Sequence, residues 1–250
     1  MLIVDVHAHL DAKEYSEDLD KVLKQNRKEG VSAIVCNGLN PSSNRRILLM
    51  SKQHKLIMVA LGYYPCEVDK VSEEKVDEEI AFIRENKQNV LAIGEVGLDK
   101  KYDNDFEKQK KYFKKFIDLA KELNVPIIVH SRKAEEEAID IMEEMDSKKV
   151  VMHCFSGSKK LVERIIKNKW SFSIPANVVR SEHFQMIVDM SPLRQLLTET
   201  DSPYLPPDPS IERNEPRYIK ESLKKIAKIK EMDVKELSNI IFNNYQTLFL

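Results

Sequence analysis

Eight short apolar runs, separated by segments of helical periodicity, constrain this 250-residue chain more than any other feature. The runs are LIVDVHAH (2–9), AIVCNG (33–38), KLIMVALGYY (55–64), NVLAIGEVG (89–97), VPIIVHS (125–131), VVMHCFSG (150–157), WSFSIPA (170–176) and LRQLLTETD (193–201). They are brief, β-branched and apolar throughout, which suits strands buried on both faces. Strand and helix in unbroken alternation imply a parallel sheet, and eight strands close a (β/α)8 TIM-type barrel of the α/β class. An open doubly wound sheet is the alternative. It usually brings a glycine-rich phosphate loop, and the sequence has none. With no linker or internal repeat, residues 1–250 read as one domain.

The intervening segments carry helix signals. In DNDFEKQKKYFKKFIDLAKEL (103–123), Phe106, Phe113, Phe116, Ile117, Ala120 and Leu123 share a face, and lysines fill the other. Ser72 before Glu73 and Glu74 reads as a capped, acid-started helix, and Asp233 with Glu236 as a capping-box start for the last one. Gly38, Gly62, Gly94, Gly97 and Gly157 fall at or just past strand runs, where βα turns near a site need a permissive backbone. The proline-rich stretch 202–216 is too long for a plain connector and reads as a loop on the active rim.

Metal-ligand residue types recur near the C-terminal ends of these runs: His7 and His9 in the first, Glu95 in the fourth, His130 in the fifth, His153 in the sixth and Asp201 in the eighth. A barrel gathers those strand ends at one face, where active sites of this fold lie. The six nitrogen and oxygen donors are therefore expected to converge, although nearly the whole sequence separates them. Strand alternation puts His7 and His9 on one face with Ala8 on the other. Asp5 is on the histidine face one step deeper, where it is expected to accept a ring N–H from a histidine.

At these residues the chain resembles the TatD-type metal-dependent deoxyribonucleases, a branch of the amidohydrolase-like barrel hydrolases. DVHAHLD, GEVGLD (94–99), PIIVHSR (126–132), MHCFSGS (152–158), LTETDSPYL (197–205), RNEP (213–216) and NNYQTLF carry the resemblance, in the family's order and over essentially the full length. It implies a DNA phosphodiester hydrolase with two divalent ions per subunit. His7, His9, Glu95 and Asp201 would hold one ion, and Glu95, His130 and His153 the other, with Glu95 bridging. Asp201 would accept the proton of the attacking water, with Glu95 as the other catalytic carboxylate. All-nitrogen-and-oxygen ligation suits Zn, Mn or Mg. Where the family commonly has GxHP, this chain reads GYYP, so Tyr64 stands in place of a histidine that faces substrate phosphate. A phenol donates to phosphate but brings no positive charge. The strand-seven region, SIPANVVRSEHF, also lacks the glycine-rich form of many relatives.

Arg132 immediately follows the strand run that carries His130 and can fork onto a phosphate, and Lys133, Arg180 and Arg213 are further phosphate candidates. Asp99 and Asn214 read equally well as turn, cap or surface residues, Ser202 as a turn cap, His54 and His183 as surface residues, and Cys154 and Trp170 as packing. Lys plus Arg total 40 against 41 Asp plus Glu, a net charge of -1, which opposes broad electrostatic binding of nucleic acid and favours strand ends or single strands as substrate. Three widely spaced cysteines and no apolar run of membrane length lead to the expectation of a soluble, cytoplasmic enzyme, monomeric or weakly oligomeric, with no obligate protein partner. Two rivals compete with the DNase reading: hydrolysis of a small phosphoester, lactone or amide on the same site, and a non-catalytic binding barrel, which predicts degenerate ligands.

Overall fold

A computed structural model of the chain describes residues 1–101 and 105–250. Its strands are β1 (Ile3–Ala8), β2 (Val31–Asn37), β3 (Ile57–Leu61), β4 (Ala92–Asp99), β5 (Ile127–Arg132), β6 (Val150–His153), β7 (Ser171–Ile174) and β8 (Leu196–Thr198). Each pairs in parallel with the next, in the order β1 to β8. Around them run α1 (Leu19–Lys28), α2 (Pro41–Gln53), α3 (Pro65–Val68), α4 (Glu73–Glu85), α5 (Phe106–Leu123), α6 (Glu135–Glu144), α7 (Lys159–Lys167), α8 (Glu182–Met190), α9 (Ile219–Ile229) and α10 (Val234–Phe249). This is the (β/α)8 barrel.

The seam between the last strand and the first closes it. Thr198 Oγ1 donates to the Val4 carbonyl at 2.7 Å, the Asp201 amide to the His7 carbonyl at 2.9 Å, and the His9 amide to the Ser202 carbonyl at 2.8 Å. The bonds at His7 and His9 lie at the C-terminal end of β1, so closing the barrel there also carries Asp201 to the two histidines.

Nearly every strand residue is buried, as expected of strands covered by side chains within and helices without. On α5, Phe113, Phe116, Ile117 and Ala120 are buried against the barrel, while residues 103–104 of that run lie outside the described residues. Asp233 caps α10 by accepting from the amides of Lys235 and Glu236. Ser72 occupies the N-cap of α4 without a side-chain capping bond. Trp170 is buried and donates to the Ser147 carbonyl at 2.9 Å.

Most strands are shorter than their apolar runs, β6 and β8 among them. β6 ends at His153 because Cys154 takes a left-handed conformation (φ 43°), and Asp201, three residues past β8, does the same (φ 55°). The first turn follows the inward-aimed His153 directly, whereas the second falls on Asp201 itself, after the chain has left the sheet. Gly94 and Gly97 lie inside β4 rather than in a turn after it. At Gly97 (φ 140°) a Cβ would stand 2.0 Å from the His130 carbonyl oxygen, so only glycine lets β4 approach β5 this closely.

Candidate metal centre

The six strand-end donors converge at the C-terminal mouth. Nε2 of His7 and Nε2 of His9 are 3.1 Å apart, and Oδ1 of Asp201 lies 3.7 and 3.4 Å from them. Glu95 divides its carboxylate between two groups. Its Oε2 is 3.3 Å from His7 Nε2 and 3.4 Å from His9 Nε2, while its Oε1 is 2.9 Å from His130 Nδ1 and 3.9 Å from His153 Nε2. Donors sharing one cation at about 2.0–2.2 Å stand roughly 3–3.6 Å from each other. Both groups are close to that spacing.

The outward nitrogens decide what the inward ones offer. His9 Nδ1 donates to the Asn37 carbonyl (3.0 Å), His153 Nδ1 to Oε2 of Glu199 (2.8 Å) and His130 Nε2 to Oδ2 of Asp99 (3.0 Å). With that proton spent outward, a neutral imidazole turns a lone pair into the site, the arrangement a metal ligand requires. His7 Nδ1, buried, has no hydrogen-bond partner. Its ring stacks on His153 with centroids 3.6 Å apart. The residues therefore fit metal binding, in overlapping groups built on His7, His9 and Asp201, on Glu95, His130 and His153, and on His7, His153 and Glu199.

Charge in the site follows from burial set against ion pairing. Burial alone would depress His9, but Asp201 and Glu95 hold it well above its ordinary value. For His153, the Glu199, Asp201 and Glu95 carboxylates overcome burial and lift it to about 9. His7 goes the other way, to about 4, through burial and the neighbouring His153. Burial opposes charge on Glu95 and Asp201 as well, yet the histidines hold both carboxyls below the usual range. The carboxylates thus create a demand for positive charge, for which protons and divalent cations compete.

Five of the donors, His9, Glu95, His130, His153 and Asp201, line a cleft of about 520 Å³ together with Leu39, Tyr64, Arg132, Tyr204 and Leu205, while His7 is buried beneath it. The stretch 202–216 supplies the last two and so does reach the rim. Arg132 and Tyr64 face the cleft but are also engaged with Asp99, to which Arg132 Nε and Tyr64 Oη donate at 2.9 and 2.8 Å. Lys133 and Arg180 are exposed. Arg213 is turned away from the centre, donating to both oxygens of Asp18 at 2.8 and 2.9 Å.

Several expectations change. Asp5 accepts no ring N–H. Its Oδ1 takes the His7 backbone amide (3.1 Å) and the Thr200 amide (3.0 Å), and its Oδ2 takes the Thr200 hydroxyl. The reason is depth. Two strand residues, about 6.6 Å, put Asp5 level with the His7 backbone rather than with its ring. Burial lifts the Asp5 carboxyl to about 8. Asp99 is no turn residue but a fully buried acceptor, which His130 and Arg132 hold well below the usual carboxylate range against the cost of burial. Asn214 is likewise fully buried, its amide donating to the carbonyls of Thr200, Tyr204 and Leu205. His183 is half-buried, bonded to the Phe155 carbonyl at 3.0 Å. Glu199 is a new member of the site, its oxygens taken by His153, the Cys154 amide and Ser173. Strand parity could have found both missed acids. Asp99 is in step with Glu95 on β4, and Glu199 with Asp201.

A family model described as TatD-related DNase matches residues 4–250. An uncharacterized metal-dependent hydrolase from Methanocaldococcus jannaschii is 39% identical over 241 residues, spanning 96% of this chain and 94% of its own. A 3'-5' ssDNA/RNA exonuclease, TatD, from Erwinia amylovora is 30% identical, spanning 98% of each chain. Among solved structures, a TatD homolog from Escherichia coli superimposes with a TM-score of 0.92 at 25% identity, covering 99% of this chain and 97% of that one. Among the described residues, no helix is long and apolar enough to cross a membrane.

Proposed function

The chain belongs to the TatD-related DNase family of metal-dependent hydrolases acting on ester bonds, and from that premise we propose that it is an exonuclease cutting DNA phosphodiesters at strand ends or in single strands with two divalent cations. One observation carries the two-cation reading. Glu95 turns Oε2 to His7 and His9 and Oε1 to His130 and His153, the disposition of a carboxylate that bridges two cations. His7, His9, Glu95 and Asp201 would hold one ion, and Glu95, His130 and His153 the other. When bound, such ions supply Lewis acidity that makes an attacking water more acidic and offsets phosphate charge.

The protein's own groups divide the remaining work. Asp201 accepts the proton of the attacking water. Its carboxylate is held ionised, and its side chain keeps 17% exposure towards the cleft against 4% for Glu95, so a water reaches it more readily. Arg132, braced by Asp99, lies on the cleft wall and offers planar N–H donors to phosphate. Tyr64 donates to Asp99 and stays neutral, because burial and the nearby Glu95 raise its phenol far above the ordinary value. Substrate charge on that wall is therefore answered by Arg132 rather than by residue 64. The cleft volume and the net charge of -1 suit a frayed terminus better than a long duplex.

Purified protein, stripped with chelator and reloaded separately with Mg, Mn, Zn and Co, is offered end-labelled single-stranded and duplex DNA. Release of mononucleotides from an end, together with two ions per chain by elemental analysis, is the expected result. DNA left intact with every metal would sink the reading. The neutral Tyr64 favours one rival, a small phosphoester, lactone or amide, and turnover confined to such compounds in a parallel panel would establish it.

A further inference from the structure

The mouth of the cleft has two arcs of different chemistry, set by strand order. Round the barrel β8, β1 and β2 are consecutive, as are β3, β4 and β5. Tyr204 and Leu205 after β8 and Leu39 after β2 lie on the first arc, while Tyr64 and Arg132 lie on the second. Apart from the candidate ligands, which both arcs carry, the lining of the first arc is largely apolar and that of the second polar.

Tyr204 is the unusual member. At 56% exposure it is, among the described residues, the one exposed aromatic side chain. The other exposed large apolar residues are Met1, Leu2 and Leu250 at the chain ends and Leu49 on α2. None of those lines the cleft. The Tyr204 side chain makes no hydrogen bond, ion pair or ring contact with any described residue, so folding gives no account of its position. Its backbone, by contrast, is pinned. The Tyr204 amide donates to the Asp201 carbonyl at 2.9 Å, and the buried Asn214 amide holds the carbonyls of Thr200, Tyr204 and Leu205 at 2.9, 2.7 and 3.1 Å. A flat ring with only two rotatable bonds is thus presented on a rigid mount three residues from the candidate proton acceptor, at little entropic cost to whatever lies on it.

We propose that Tyr204 is a stacking platform for the nucleobase of the nucleotide beside the scissile phosphodiester, with Leu39 and Leu205 as its apolar surround, while the Arg132 arc takes the phosphate. This rests on the phosphodiesterase reading and adds the subsite that reads the substrate as a nucleotide. Every base has a π face, so the platform tolerates any sequence and discriminates a nucleotide from a base-free phosphodiester. Stacking of this kind is held equally in ground and transition states, so its loss falls on KM rather than kcat.

Metal-loaded wild type, Tyr204→Phe, Tyr204→Leu and Tyr204→Ala, each checked for folding by circular dichroism, are compared on single-stranded oligonucleotides whose terminal nucleotide is normal or abasic. On the normal substrate, Tyr204→Ala and Tyr204→Leu are expected to raise KM about tenfold, within the range of a lost base–aromatic stack, with kcat within about twofold. Tyr204→Phe should match wild type. On the abasic substrate all four proteins should have the same, raised KM. Fluorescence of a terminal 2-aminopurine should be quenched on binding to wild type and not to Tyr204→Leu. Cleavage by wild type with an equal Tyr204→Leu penalty on both substrates, or with no penalty on either, overturns the platform and leaves the nuclease reading standing. Failure of wild type either to cut or to bind any oligonucleotide overturns both.

Discussion

Nδ1 of His153 lies 2.8 Å from Oε2 of Glu199, a carboxylate with no exposed surface whose other oxygen accepts the Cys154 amide. Glu199 thereby sets both the tautomer of the histidine and the turn that follows it. Replacing Glu199 with Gln leaves an amide that can satisfy the same neighbours only in part. The expected result is a loss of roughly 10–100-fold in metal affinity, the scale for partners of ligating histidines. Competition against a chromophoric chelator measures it. Unchanged affinity for both ions would remove Glu199 from the site.

Glu95 has the central place, so Glu95→Gln is the most economical test of bridging. The substitution keeps volume and removes one charge from between the two donor groups. Turnover should fall by at least about 10²–10³, the scale of losing one preorganised electrostatic contact in a transition state. Circular dichroism should be unchanged, and elemental analysis should find fewer than two ions per chain. Full activity with two ions retained would contradict the shared carboxylate.

Asp99 joins β4 to Tyr64, His130 and Arg132. Asp99→Asn removes the charge that the two basic groups face in a buried position. Hydrogen bonds to charged groups are each worth about 1.5–3 kcal/mol, so a melting point lower by roughly 3–12 °C is expected for the loss of one in a chain of this size. KM for DNA should rise as Arg132 loses its brace. A thermal melt and initial rates measured on one preparation separate the two effects.

The rim loop carries a pH dependence of its own. Arg213 donates to both oxygens of Asp18 and holds its carboxyl below the ordinary value. A carboxylate lowered on folding stabilises the native state above its unfolded value, about 3.9, and that stabilisation disappears as pH falls through the lower native value. Amides in residues 202–216 should therefore lose protection as pH falls below the ordinary carboxylate value of about 3.9, after correction for intrinsic exchange. Asp18→Asn should lose it at every pH. Hydrogen exchange read by mass spectrometry checks both.

Much of this protein was legible in the linear chain because its signals are local or periodic. Apolar runs of strand length alternating with amphipathic segments require a parallel barrel. Two-residue periodicity puts His7 and His9 on one face, and donors at strand C-termini must meet wherever eight strands close. Residue type alone carried the ligand candidates, since imidazoles and carboxylates at the ends of buried strands have few structural uses.

Only the folded barrel decided which partner each polar group takes, because partners across strands depend on register and depth, neither of which is written in one segment. Asp5 serves a backbone amide and not an imidazole because it lies a full side-chain layer below the His7 ring. Glu199 and Asp99 became supports for His153 and His130 when β8 and β4 came into step with their neighbours. Arg213 left the phosphate candidates because Asp18, almost two hundred residues earlier, reached it first. Tyr204 followed the opposite course: a residue that reads as part of a motif stands exposed at the mouth, because Asn214 fixes the backbone beneath it and no described residue bonds to or stacks on the ring.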